Sequence, residues 1–185
     1  MLCIGLDIST SIVGISIFKN KKLSKLIYID LSKEKCIFKK AKMFEDFFLK
    51  NFVDIKNIDY IYIEDILQSF SRGLSSANTL MKLAKFNGIV SNIVYNITHL
   101  IPEYINVNTA RKTLEIKIDK KSPVDKKEQV MMWVDKDLNE NYSWPTKVIS
   151  RGPNKGLVKY EKFCYDMADA YVICKAGIII NEQNP

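Results

Sequence analysis

The 185 residues hold 47% hydrophobic and 26% charged side chains, which excludes a disordered tail or a membrane-embedded chain and suits one domain with a sizeable core. No apolar run approaches the roughly 20 residues of a spanning helix, and the N-terminus lacks the basic region and cleavage site of a signal peptide, so a soluble cytoplasmic protein is expected. Lysine and arginine exceed acids by 28 to 21, and the resulting +7 points modestly to a polyanionic partner.

Cys3, Cys36, Cys164 and Cys174 show no metal-finger spacing and read as small core residues in a reduced compartment.

Residues 1–8 read as a buried strand, followed by Ser9-Thr10-Ser11 as a turn, Ile12 to Phe18 as a second strand and Lys22 to Leu31 as a third. Phe44, Phe47, Phe48 and Phe52 recur at helical spacing, predicting a helix over Phe38 to Phe52, with Ile58 to Ile63 as the next strand. Ser75 to Ile97 forms a long helix with three faces. Leu83, Phe86, Val90 and Val94 cover the sheet, and Asn78, Lys82, Lys85, Asn92 and Asn96 make a polar stripe. Ala77, Met81, Ala84, Gly88 and Ser91 make a third face of mostly small residues, flanked by Tyr95 and suited to a second helix. Tyr104 to Val107 is a short strand, and Thr109 opens a short helix. Ser122-Pro123 with Asp125 predicts a helix start and a run to about Leu138. Residues 139–162 read as a long basic loop, and Phe163 to Ile180 as a closing apolar helix.

Four acids stand where acids are costly. Asp7 interrupts an apolar strand, Glu64 ends another, and Asp166 and Asp169 share a face of the last helix among Phe163, Met167 and Tyr171. No lysine or arginine interrupts the apolar residues around them, so a hard cation held by oxygen ligands is the expected counter-charge. Asp54, Asp59, Asp119 and Asp137 read as surface residues, as does or nearly does His99, the single histidine.

Four motifs resemble the RuvC family of Holliday-junction resolvases, within the ribonuclease H/integrase superfamily. Ile4-Gly-Leu-Asp-Ile-Ser-Thr-Ser-Ile-Val-Gly14 is similar to the family's first strand and turn, and Ile63-Glu64 to the strand ending in the catalytic Glu. Ala77 to Val90 resembles the long helix, and Asp166-Met-Ala-Asp169-Ala170 the closing pair of acids. The resemblance covers nearly the whole chain. It implies a ribonuclease-H-like α/β fold: a mixed five-stranded sheet, antiparallel meander plus parallel strands, flanked by helices.

It further implies an Mg²⁺-dependent endonuclease, with Mn²⁺ able to substitute, that resolves four-way DNA junctions as a homodimer in a bacterium or phage-infected host. Asp7, Glu64, Asp166 and Asp169 would be the catalytic and metal-binding residues, with Asp7 bridging two ions. Lys112, Lys126 and Lys127 match basic positions that contact DNA, and Phe70 and Arg72 are further candidates. Two departures stand out: Leu67 replaces an aromatic that many relatives insert into the junction, and the 139–162 loop is long, suggesting a phage-type form. Ala77, Met81, Ala84, Gly88 and Ser91 would form the dimer interface. A less specific branched-DNA or flap endonuclease of the same fold is the alternative. An actin-like phosphotransferase is remote, because the chain repeats no second phosphate turn. A non-catalytic DNA-binding subunit would carry a degraded acid set, which is absent.

Overall fold

Apolar alternation around short turns builds the first half of the sheet. A computed structural model describes residues 1–52, 57–66, 77–140, 142–153 and 155–183. Strand β1 (Leu2–Ile8) turns into β2 (Ile12–Lys19), and β2 into β3 (Lys22–Asp30). In the first turn the Ser9 hydroxyl accepts from the Ile12 amide at 3.0 Å and donates to the Ile12 carbonyl at 2.7 Å. In the second, Asn20 and Lys21 both take positive φ, 50° and 65°, as a tight two-residue hairpin requires.

After the meander come α1 (Ile37–Asn51), β4 (Tyr60–Glu64), α2 (Ala77–Thr98), β5 (Glu103–Ile105) and α3 (Val107–Thr113). The chain continues through α4 (Lys126–Asp137), β6 (Thr146–Val148), β7 (Val158–Tyr160) and α5 (Lys162–Gln183). The main sheet has the order β3-β2-β1-β4-β5, with the meander antiparallel and β1-β4-β5 parallel. This is the mixed sheet expected of a ribonuclease-H-like fold.

Strand alternation sorts the two faces. Ile4, Leu6 and Ile8 of β1 pack with Phe44 and Phe48 of α1 and Phe86, Val90 and Val94 of α2. Cys3 and Tyr62 join the opposite layer, with Met131 and Val134 of α4 and Met167 and Tyr171 of α5. Asp7 therefore shares the α5 face with Cys3, and Glu64 shares it with Tyr62.

Glycine lets α5 lie close on that face. A methyl at Gly5 would strike the Ala170 carbonyl and the Cys174 side chain, and one at Gly14 would strike the Asp166 carbonyl. The Ser16 hydroxyl, also on β2, donates to the Ala170 carbonyl at 2.8 Å. Gly14 pairs directly with Asp7 across the β1–β2 ladder, so the same missing Cβ that admits α5 sets Asp166 beside Asp7. Gly14→Ala should thus force α5 outward, cost about 1–3 kcal/mol as an overpacked contact, and weaken any cation held between strand and helix. Thermal melts with and without Mn²⁺ would measure both effects.

Several local expectations are corrected. Helix α4 begins at Lys126, capped by Asp125, whose carboxylate accepts from the Glu128 amide at 2.9 Å. Ser122 accepts from the Val124 amide at 3.1 Å and closes only a local turn, because Pro123 and Val124 lie outside the helix. Helix α3 starts two residues before Thr109, capped by Asn106. Cys36 is exposed, unlike the other three cysteines. Asp137 is not a plain surface acid: Tyr171 and Lys175 both donate to its carboxylate. The 139–162 segment is not all loop, since β6 and β7 pair within it as an antiparallel ribbon. Three-residue strands are too short to leave an alternation signal.

Candidate metal centre and nucleic-acid interface

Parallel strands β1 and β4 end side by side, which places Asp7 and Glu64 next to each other at one end of the sheet. Helix α5 crosses that end, and its residues 166 and 169 lie on one face because three residues nearly complete a turn. Asp7 lies close enough to Glu64 and Asp166 for the three carboxyls to shift one another's ionisation. All four acids are partly exposed at the rim.

Crowding of like charges governs their ionisation. Burial raises Asp7 well above the usual carboxylate range, and the charges of Glu64, Asp169 and Asp166 raise it further. Glu64 is pushed up to about 7, mainly by burial and then by Asp169. Asp169 is pushed up to about 6 by burial, with Lys127 and Arg111 opposing. Burial also raises Asp166, against the pull of Lys127.

The one ion pair to these acids among the described residues is Lys127 Nζ to Asp166 Oδ1, at 3.7 Å from an exposed lysine. One distant cation does not neutralise four carboxylates. Oxygen ligands that burial and mutual repulsion drive toward protonation are the donor set a hard divalent cation satisfies. Among the described residues, no three of the acids already close around one point as a finished cage. Glu64, Asp169 and Asp166 each act on the ionisation of Asp7, which makes Asp7 the acid common to the other three.

Two hollows flank the acids. A cavity of about 200 Å³ is lined by Asp7 and Glu64 together with Ile8, Asp65, Ile66, Leu80, Leu83 and Asn87. Asn87 is buried, donates to the Glu64 carbonyl at 3.4 Å, and is followed one turn on by Ser91. The Ser91 hydroxyl donates to the Asn87 carbonyl at 2.8 Å and accepts from the Tyr104 hydroxyl at 2.7 Å. The larger hollow, about 600 Å³, contains none of the four acids but carries Arg111, Lys112, Lys120 and Lys126 on its walls. Arg111 and Lys126 act from there on the charges of Glu64 and Asp169.

Lys126 and Lys127 are thus brought to the acids, whereas Lys112 lines the basic cleft beside them. Phe70, Arg72 and Leu67 lie outside the described residues. Arg111 and Asn87 were not singled out from the sequence. Arg111 has a buried Nε with no hydrogen-bond partner among the described residues. Its only sequence signal was adjacency to Lys112 on a short helix.

On α2, Ala77, Met81, Ala84 and Gly88 are exposed, Met81 by 58%. Ser91 does not belong with them. It is buried at the boundary between that stripe and the arc of Phe86, Asn87, Val90 and Val94, where the Tyr104 hydroxyl engages it.

A mixed five-stranded sheet in the order β3-β2-β1-β4-β5, crossed by the closing helix, is a ribonuclease-H-like fold. No protein-family model and no curated protein matches the sequence. Among solved structures, the chain is similar to Thermus thermophilus RuvC in complex with Holliday junction substrate. The TM-score is 0.67 at 14% identity, over 100% of this chain and 96% of that one. A second T. thermophilus RuvC structure aligns with a TM-score of 0.61 at 14% identity, over 99% of this chain and 96% of that one. At this identity the likeness establishes the shared fold.

Proposed function

We propose that this chain is a divalent-cation-dependent DNA endonuclease that resolves four-way junctions. One observation carries the reading: Asp7, Glu64, Asp166 and Asp169 meet at one end of the sheet with a single weak ion pair, beside a basic cleft. The fold likeness to a RuvC held on a Holliday junction substrate supports it.

The chemistry divides among named residues. Asp7, Glu64, Asp166 and Asp169 would together hold the divalent cations, Mg²⁺ or Mn²⁺. Bound there, such ions supply an activated water and charge for the leaving oxygen of an in-line phosphodiester hydrolysis. Lys127 supplies a positive charge at the rim, where it can leave Asp166 for an incoming phosphate. Arg111, Lys112 and Lys126 line a path for the strand leading into the acids. A four-way junction has two-fold symmetry, so two copies are required to cut opposing strands. The exposed Ala77, Met81, Ala84 and Gly88 stripe is the proposed seam.

Glutamine at Lys112, Lys126 and Lys127 together should weaken DNA binding. Each phosphate left without its lysine should lower the slope of log affinity against log salt by about 0.9, so a drop of roughly 2–3 is expected across a salt titration.

The reading is tested by offering a synthetic four-way junction and a linear duplex of matched sequence, each with Mg²⁺. Paired nicks confined to the junction are expected. Equal cutting of both would favour the less specific nuclease, and no cutting of either would overturn the proposal.

A further inference from the structure

The ribbon β6–β7 has a composition at odds with life as a free surface element. Between Thr146 and Tyr160 the sequence carries Lys147, Arg151, Lys155 and Lys159 and no acid. Lys147 and Lys159 stand directly opposite each other in the ladder, as do Val148 and Val158. Like charges directly opposed weaken a strand pair, and a lone two-stranded ribbon is marginal to begin with. Glu161 offsets only one of the two lysines, at 2.8 Å from Lys147. Val148, Val158 and Leu157 are 64%, 68% and 59% exposed, so these apolar residues are left largely uncovered by the described residues.

The base of the ribbon is nevertheless held firmly. Pro145 accepts from the Glu161 amide at 3.0 Å and from the Cys164 thiol at 3.4 Å. Trp144 is buried, and its indole donates to Asp135 at 2.9 Å. The strands continue toward the tip through bonds from the Ile149 amide to Leu157 and from the Gly156 amide to Ile149. Helix α5 starts directly after β7, and Asp166 lies four residues, about 6 Å of helix rise, past its first residue. A cationic and partly apolar ribbon, anchored at its base, is therefore tied to the helix that carries two of the four acids.

We propose that β6–β7 is a second DNA-binding element that lies against the groove of a duplex arm next to the cleavage point. Alternation puts cations on one face and valines on the other. The Lys147–Lys159 face meets backbone phosphates, and Val148 and Val158 on the other face pack on sugars and base edges. A two-stranded ribbon has the width to enter the major groove. This assignment rests on the proposed reading of the chain as a DNA nuclease.

The test uses the full chain and the same synthetic junction. In the variant Arg151→Gln/Lys155→Gln/Lys159→Gln, the salt slope of junction binding should fall by roughly 2–3, at about 0.9 for each phosphate no longer neutralised. Lys147 is spared because it pairs with Glu161. Val148→Ser/Val158→Ser should weaken binding with the salt slope unchanged. An unchanged slope in the first variant, with the wild type binding and cutting normally, would overturn the ribbon proposal alone. The lysines would then serve only to keep the edge from pairing with other chains. A wild type that binds but never cuts would count against the nuclease reading while leaving the ribbon's slope change intact as a result.

Discussion

Asp7→Asn should abolish divalent-cation-dependent cleavage and, in the absence of such cations, make the protein more stable than wild type. The two effects share one cause. Asp7 is raised well above the usual carboxylate range by burial and by Glu64, Asp169 and Asp166, so it sits at the centre of the repulsion. Removing its charge at nearly constant volume lowers the electrostatic cost of the acidic cluster and, on the proposed reading, removes a ligand of the cation site. Charge stabilisation by a bound ion contributes several kcal/mol to such a transition state, so a rate loss of about 10³-fold or more is expected.

The same cluster sets a pH dependence. Asp169 and Glu64 are pushed up to about 6 and about 7, above the roughly 4 of an unfolded carboxyl. Between those values the folded chain holds protons the unfolded chain has released, so stability falls as pH rises from about 4 to about 7. Asp7→Asn should flatten that fall, and saturating Mg²⁺ should remove most of it in wild type. Melting curves across this range, with activity on the junction, check the set. A variant that still cuts with Mg²⁺ would sink the assignment of Asp7.

Gly88→Arg should turn a dimer into monomers that bind DNA but make unpaired nicks. A Cβ added at Gly88 would meet nothing within 4 Å among the described residues, so the substitution starts from open space. Replacing glycine in a helix also gains up to about 1 kcal/mol of propensity, so loss of function could not be laid to unfolding. In the proposed two-fold pairing, each partner would drive a guanidinium into the seam of Ala77, Met81 and Ala84. An unpaired charge buried there costs several kcal/mol, enough to weaken association by about 10³-fold. Sedimentation reads the change. A wild type that is monomeric at micromolar concentration, with and without DNA, would remove the dimer and favour a single-subunit nuclease.

Much of this was readable before the structure. Buried strands betray themselves by apolar runs, and an acid inside such a run is conspicuous because its burial is costly. That is why Asp7, Glu64, Asp166 and Asp169 stand out in the sequence, and in the fold each lies near the ends of β1 and β4 or on α5 across them. The closing helix and α1 were equally plain from apolar and aromatic spacing. What escaped depends on tertiary approach. Gly5 and Gly14 look like ordinary strand glycines until α5 is laid across them. Arg111 and Asn87 carry no periodic signal, and their relation to Glu64 exists only once α2 and α3 are packed. Ser91 sits at the edge of a helical stripe, where residue spacing alone does not choose between solvent and a hydroxyl on β5. The ribbon was missed because its strands are three residues long and its cations read as a solvated loop.

The central claim is that the four carboxylates form a divalent-cation site, and anomalous scattering from crystals grown with Mn²⁺ tests it most directly. The account predicts Mn²⁺ between β1, β4 and α5, with an Asp7 oxygen as a ligand and Asp166 turned away from Lys127. Manganese found only elsewhere on the surface would contradict it.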